Sequence, residues 1–441
     1  MTIREAAADL RAGRVSCLEL ADQCLSQIAR LNPKLNAFVT VTGEQARARA
    51  LELDRELAAG RDRGPLHGIP IAHKDLIRTK GVRTMSGSKL FADFVPGSDA
   101  AVVKKLDAAG AVMLGKTGLH ELAYGITSDN PHFGTIRNPR DAERSPGGSS
   151  GGSGVAVATG MAYMATGTDT GGSIRIPASF CGVVGLKPTY GVVDLSGIQP
   201  LGFSLDHAGP LTRTVADARV TFEAMAGAGR RRAAPVDVRN IRIGLPENFY
   251  FDRASGEVKD AVRLAAREAE RLGARVTQVQ VPDMDGLNAA GRVILLAEAS
   301  ALYEPYRARR GDFGSDVLAL LDQGRLVPAT DYVNAQRLRR TLVDDFRALF
   351  SEIDCLFTPA TPITSPRIGQ MQVELDGELV DTRIATTRLS RGINVLGFPS
   401  LAMPCGESSE GLPIGLQIVA RPFEEDLLLS LGEALEAGLA R

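Results

Sequence analysis

Residues 146–177 read PGGSSGGSGVAVATGMAYMATGTDTGGSIRIP, and between 146 and 173 only Asp169 is charged. So much Gly, Ser, Thr and Ala leaves too little side-chain bulk to fill a core. The stretch must therefore act through its backbone, where residues lacking Cβ let chain segments approach one another or a ligand closely. Two serines bracket it: Ser149, within Gly147-Gly148-Ser149-Ser150-Gly151-Gly152, and Ser173, which lies 24 positions later and ends Gly167-Thr168-Asp169-Thr170-Gly171-Gly172-Ser173.

Two shorter patterns compete and fail on context. Gly147–Gly151 and Gly148–Gly152 both match Gly-x-Ser-x-Gly, but a nucleophile elbow needs a strand before it and a catalytic histidine late in the chain. Residues 140–146 do not read as a strand, and the last histidine is His207. Gly110-Ala-Val-Met-Leu-Gly115-Lys116-Thr117 fits the phosphate-loop pattern, yet its spacer is an apolar strand where a flexible loop is required. Lys116 reads as structural. Five histidines without HxxxH spacing, and no cysteine pair, argue against a metal, and no cofactor is expected. His120-Glu121 has no second histidine and is expected at the surface or as a cap.

A serine nucleophile needs a base, and where histidine is scarce the remaining amine is a lysine. Lys74 and Asp75 follow Ile69-Pro70-Ile71-Ala72-His73, a short run of buried-strand type. To work near pH 7.5, the amine must come down from about 10.4, a bias of about 4 kcal/mol against its charged form. Burial beside Ile69 and Ile71 and neighbouring positive charge are the expected sources. For the oxyanion, Thr170, Gly171, Gly172 and Ser173 offer four consecutive amides.

Taken together, Gly147–Gly152 and Gly167–Pro177 resemble the amidase signature family. Lys74-Asp75, Gly115-Lys116-Thr117, Cys181–Pro188 and Gly411-Leu-Pro-Ile-Gly-Leu-Gln417 extend the likeness over most of residues 65–225 and the C-terminal 40. The resemblance implies a serine hydrolase of linear amides that works through an acyl-enzyme. Its catalytic residues would be Lys74, Ser149 and Ser173, with Ser173 the nucleophile and Ser149 bridging it to Lys74 after a cis Gly148–Ser149 peptide. Asp169, Arg175 and Ser150 would brace the site. Two positions depart from the family: His73 before the lysine, where a small or apolar residue is usual, and Gly118 after Thr117, where Asn is usual.

The rest of the chain sets the frame. Its 441 residues, 44% hydrophobic and 23% charged, carry 51 Lys plus Arg against 52 Asp plus Glu, which disfavours a nucleic-acid partner. Arg230-Arg231-Arg232 reads as a solvated linker. Cys17, Cys24, Cys181, Cys355 and Cys405 read as free thiols. A charged N-terminus and no run of 18 apolar residues argue against a membrane span and for a cytoplasmic protein.

Capping-box spacing at Ser16/Glu19 and Thr42/Gln45 predicts helices in residues 1–62. Helices are also expected at 101–110 and 255–272, the latter ended by Gly273. Strands are expected at Ala111–Leu114, Ile241–Pro246, Cys355–Thr358 and Ser400–Met403. The pattern predicts a single α/β domain over 1–441, with a central mixed, twisted sheet covered by helices on both faces. A helical preamble (1–62), a signature core (65–225), a variable helical insertion (about 283–350) and a return to the sheet (351–441) make it up.

Two enzyme readings stand: an amidase acting alone on a small-molecule amide, compatible with a homodimer, or the glutamine-hydrolysing component of a Glu-tRNA/Asp-tRNA amidotransferase with partner subunits. Asn130-Pro131-His132-Phe133-Gly134 and the modest length favour the first. A non-catalytic scaffold would have no reason to keep Lys74, Ser149 and Ser173 together.

Overall fold

The computed structural model describes residues 1–227 and 236–439, so Arg230–Arg232 lies outside the described residues. The strands are β1 (Phe38–Val41), β2 (Pro70–Lys74), β3 (Val112–Thr117), β4 (Met164–Asp169), β5 (Val184–Lys187), β6 (His207–Thr212) and β7 (Arg242–Pro246). They continue with β8 (Arg275–Val279), β9 (Cys355–Pro359), β10 (Gln372–Leu375), β11 (Glu378–Asp381), β12 (Ser400–Glu407) and β13 (Pro413–Ala420). Eleven form one sheet in the order β1-β3-β2-β4-β6-β5-β12-β13-β9-β7-β8, while β10 and β11 make a separate hairpin. The sheet is mixed: β2 is parallel to both β3 and β4, whereas β4 and β6, and β12 and β13, are antiparallel.

Strands β2, β4, β6, β9 and β13 are buried at every residue, as expected where helices cover the sheet. Val215–Ala226 packs on β6, Glu425–Leu439 on β12 and Gly256–Arg271 on β9. Edge strand β8 keeps only partial burial. The single mixed α/β domain matches the expectation. Between β8 and β9 run the helices Met284–Tyr303, Ser315–Arg325 and Ala329–Glu352.

The local signals match the structure with two exceptions: Phe38–Val41, inside the stretch 1–62 expected to be helical, is an edge strand of the main sheet, and Thr42 lacks its expected cap. Ser16 and Glu19 form their capping box, and Gly273 ends its helix at φ +100°. Thr42 makes no cap; its hydroxyl instead donates to Met113 O at 3.3 Å, because β1 pairs with β3 and brings that carbonyl alongside. The spacer of the phosphate-loop pattern is indeed strand, within β3.

The Gly/Ser composition finds its explanation in Gly151–Ala158, a helix driven into the interior. A Cβ on Gly152 would stand 2.5 Å from Ala37 O and 2.6 Å from Gly118 O. Gly118 is matched to this: its carbonyl accepts the Gly152 N–H at 3.2 Å, and its own Cβ would meet Ile136 at 2.9 Å. Among the described residues no helix is long and apolar enough to cross a membrane.

Candidate active site

Because β2 and β4 are parallel neighbours, with His73 opposite Thr166, their C-terminal ends open at the same edge of the sheet, where α/β folds build their sites. Lys74 ends β2 and Asp169 ends β4. After β4 the chain turns through Thr170–Ile174 into the helix Arg175–Cys181. Ser149 arrives from the irregular segment before Gly151–Ala158, and its peptide bond to Gly148 is cis. The two Gly-rich segments are tied together by the Ser150 N–H, which donates to Ser173 O at 3.2 Å.

Lys74 is fully buried, and its Nζ lies 2.8 Å from each of Ser149 Oγ, Ser150 Oγ and Thr168 Oγ1. Burial lowers its pKa to about 7, against the opposing pull of the Asp169 and Asp206 carboxylates. The expected neighbouring positive charge is therefore not the cause. Desolvation accounts for the shift. A neutral amine donates two protons and offers one lone pair. Since the Ser150 hydroxyl donates onward to Thr168 O at 3.2 Å, the hydroxyls free to donate into that lone pair are those of Ser149 and Thr168. Ser150 thus touches the amine directly, and Thr168 is a contact that sequence reasoning did not single out.

Ser173 lines a cavity of about 210 Å³, beside Thr170 and Gly171. The four-amide cradle is narrower than expected. The Gly172 N–H donates to Asp169 Oδ1 at 2.7 Å, while those of Thr170, Gly171 and Ser173 have no partner among the described residues.

Asp169 and Arg175 brace the turn. Arg175 Nε and Nη2 reach the two Asp169 oxygens at 3.0 and 2.9 Å, in a pair with no solvent exposure. Burial pushes the Asp169 carboxyl up, but the Arg175 guanidinium overrides it and holds the group well below the carboxylate range. Arg175 is held in turn by Gln417 Oε1 at 2.7 Å and Asn394 Oδ1 at 2.6 Å. Gln417 stands in a motif visible in the sequence, whereas Asn394 carries no local signal.

The remaining candidates have structural surroundings. Burial, aided by the charge of Lys116, holds His73 at about 3, so its ring is neutral; Nδ1 sits 3.2 Å from Thr166 Oγ1. Lys116 knits the loop after β2, bonding to Ile77 O, to Thr84 Oγ1 at 3.0 Å and to Thr79 Oγ1 at 3.3 Å. Burial pushes Asp75 up and Lys116 down, and each opposes the shift of the other. His120 and Glu121 are buried rather than at the surface, and His120 takes the other expected place, the N-cap position of the turn Glu121–Ala123, without a side-chain cap bond. Glu121 accepts from Ser88 Oγ and from Gly314 N, both at 2.6 Å, because the segment Arg310–Ser315 closes over it. No group of three metal-ligating side chains occurs among the described residues.

The model of the Amidase family matches residues 19–429 of this chain. The chain belongs to the amidase signature family. An amidase of Pseudomonas putida is 40% identical over 99% of this chain and 95% of its own length. The A-type subunit of the glutamyl-tRNA(Gln) amidotransferase of Halorhodospira halophila is 38% identical over 98% of this chain and 96% of its own. A crystal structure of an amidase superposes with a TM-score of 0.94 at 38% identity, covering 99% of both chains. This amidase-signature chain is thus an amide hydrolase by family, and its relatives include both named types.

Proposed function

We propose that the protein is a stand-alone amidase, cleaving a small-molecule carboxylic amide to carboxylate and ammonia or amine. Lys74, unprotonated near neutrality, draws the Ser173 proton through the Ser149 hydroxyl. Ser173 Oγ attacks the amide carbon, and the N–H groups of Thr170, Gly171 and Ser173 receive the oxyanion. The proton returns along the same route to the leaving nitrogen, the C–N bond breaks, and an acyl ester remains on Ser173. Water, deprotonated by the same relay, releases the acid and restores the serine. In this reading the enzyme needs no cofactor and works in the cytoplasm.

One observation carries it: a fully buried amine with a pKa of about 7 lies 2.8 Å from the hydroxyl of Ser149. The amidotransferase relative keeps a second reading open, glutamine hydrolysis within a multi-subunit complex. A panel of short amides and glutamine, assayed on the purified chain, tests the proposal. Turnover of short amides without partner subunits is expected; glutamine cleavage only after partner subunits are added would favour the second reading.

A further inference from the structure

Three side chains with donors to spare, Arg391, Arg292 and Tyr124, converge on the cavity that holds Ser173. Arg391 bonds only to Thr387 Oγ1, at 2.8 Å, and no carboxylate lies within ion-pair distance among the described residues. Arg292, exposed on the helix Met284–Tyr303, makes no hydrogen bond or ion pair among those residues. The Tyr124 hydroxyl, on a side chain only 6% exposed, is buried without a partner. These groups are close enough to feel one another. Burial lowers Arg391 to about 10, the charge of Arg292 adds to the effect and Tyr124 opposes it.

Position ties the cluster to the reaction. A Cβ on Gly171 would stand 3.9 Å from Arg391 Nε, so the arginine passes directly beside the turn that presents Ser173. The one carboxylate on the cavity wall is already engaged: Asp381 Oδ1 accepts the N–H groups of Arg383 at 2.9 Å and Ile384 at 3.0 Å, capping the helix Thr382–Arg388. Leu201, Leu295, Leu296 and Leu320 give the cavity an apolar side, while Arg383 and Gln323 also line it. A buried hydroxyl such as that of Tyr124 is normally paired. Two guanidinium forks with no carboxylate partner among the described residues, and a buried phenol with no partner there, offer donors to an acceptor-rich, planar anion, which a carboxylate matches in geometry.

We propose that Arg391, Arg292 and the Tyr124 hydroxyl form a carboxylate-binding subsite, and that the substrate is a short amide carrying a free carboxylate, such as the monoamide of a dicarboxylic acid. The carboxylate binds the arginines, the methylenes lie along the leucines, and the amide carbonyl reaches Ser173. This rests on the amidase reading for its turnover, but not for its binding.

The test compares kcat/KM for malonamate, succinamate and glutaramate with propionamide, butyramide and valeramide, in which a methyl replaces the carboxylate. At least one acid amide is expected to exceed its neutral partner by about tenfold or more, the worth of a charge-assisted pair. R391Q and R292Q should collapse that ratio, mainly through KM; Arg292 lies at the surface, so its variant tests the subsite even if R391Q misfolds. Equal rates on acid and neutral amides, or variants that slow both alike, would overturn the proposal. Calorimetric titration of succinate and glutarate into S173A separates the two readings. Binding that R391Q or R292Q abolishes supports the subsite even if no amide is turned over, and absence of binding refutes it.

Discussion

Lys74 Nζ stands 2.8 Å from Ser149 Oγ across 75 positions of sequence, in a site where neither residue is exposed. The contact exists because one strand end and one glycine-rich turn meet at the same edge of the sheet. Lys74→Met keeps the methylene packing and removes the amine, so amide turnover should fall by about 10²–10⁴. Circular dichroism should show an unchanged fold. A tenth of normal activity in a folded variant would exclude Lys74 as the base.

The pH profile follows from the lowered amine. Lys74 has to be unprotonated to accept the Ser173 proton, so kcat/KM should fall tenfold per pH unit below about 7 and flatten above it. For stability the sign is separate. The unfolded lysine stays protonated up to about 10.4 while the folded one releases its proton near 7, so this group makes stability rise with pH between those values. Denaturant midpoints measured in Lys74→Met should lose that component of the rise. A wild-type rate profile flat from pH 5 to 9 would contradict the proposed proton route.

Ser149→Ala should be damaging yet less complete than Ser173→Ala, because a water can substitute for a relaying hydroxyl, within the range of about 10²–10⁴ for proton-transfer groups. A fluorophosphonate should add its mass to the peptide containing Ser173, and hydroxylamine should divert product to the hydroxamate. Label found on Ser149 or Ser150, or persisting in Ser173→Ala, would reassign the nucleophile.

Arg175→Met should destabilise the fold by about 3–5 kcal/mol, since it leaves Asp169 an unpaired carboxylate in a place with no solvent exposure. Urea unfolding measures the loss. Replacing both residues, Arg175→Met with Asp169→Asn, should recover part of it, because no uncompensated charge then remains. A single variant as stable as the parent would show that the pair does not hold the turn.

Local chemistry was legible without coordinates. The 24-residue offset of Ser149 and Ser173, the strand run into Lys74 and the scarcity of histidine all belong to neighbouring residues, and propensity and spacing report on those directly. So does the rejection of the phosphate-loop pattern, where Ala111–Leu114 could only be strand. Thr42 shows the limit: its spacing marked the helix start, but pairing of β1 with β3 brought up a carbonyl to which its hydroxyl donates, and it accepts no cap N–H.

The sequence by itself determined the family, the mixed α/β class and the residue types at the site, because these rest on motif spacing and short-range periodicity. Only the tertiary structure decided which groups face Lys74, with Thr168 joining the two serines and burial rather than positive charge lowering the amine. It also decided that Gly172 gives its N–H to Asp169, that Asn394 holds Arg175 from 219 positions away, and that Arg391, Arg292 and Tyr124 gather at one cavity. The reason is physical: desolvation, and the presence or absence of a partner, are properties of a side chain's whole surroundings, and distant segments supply most of those.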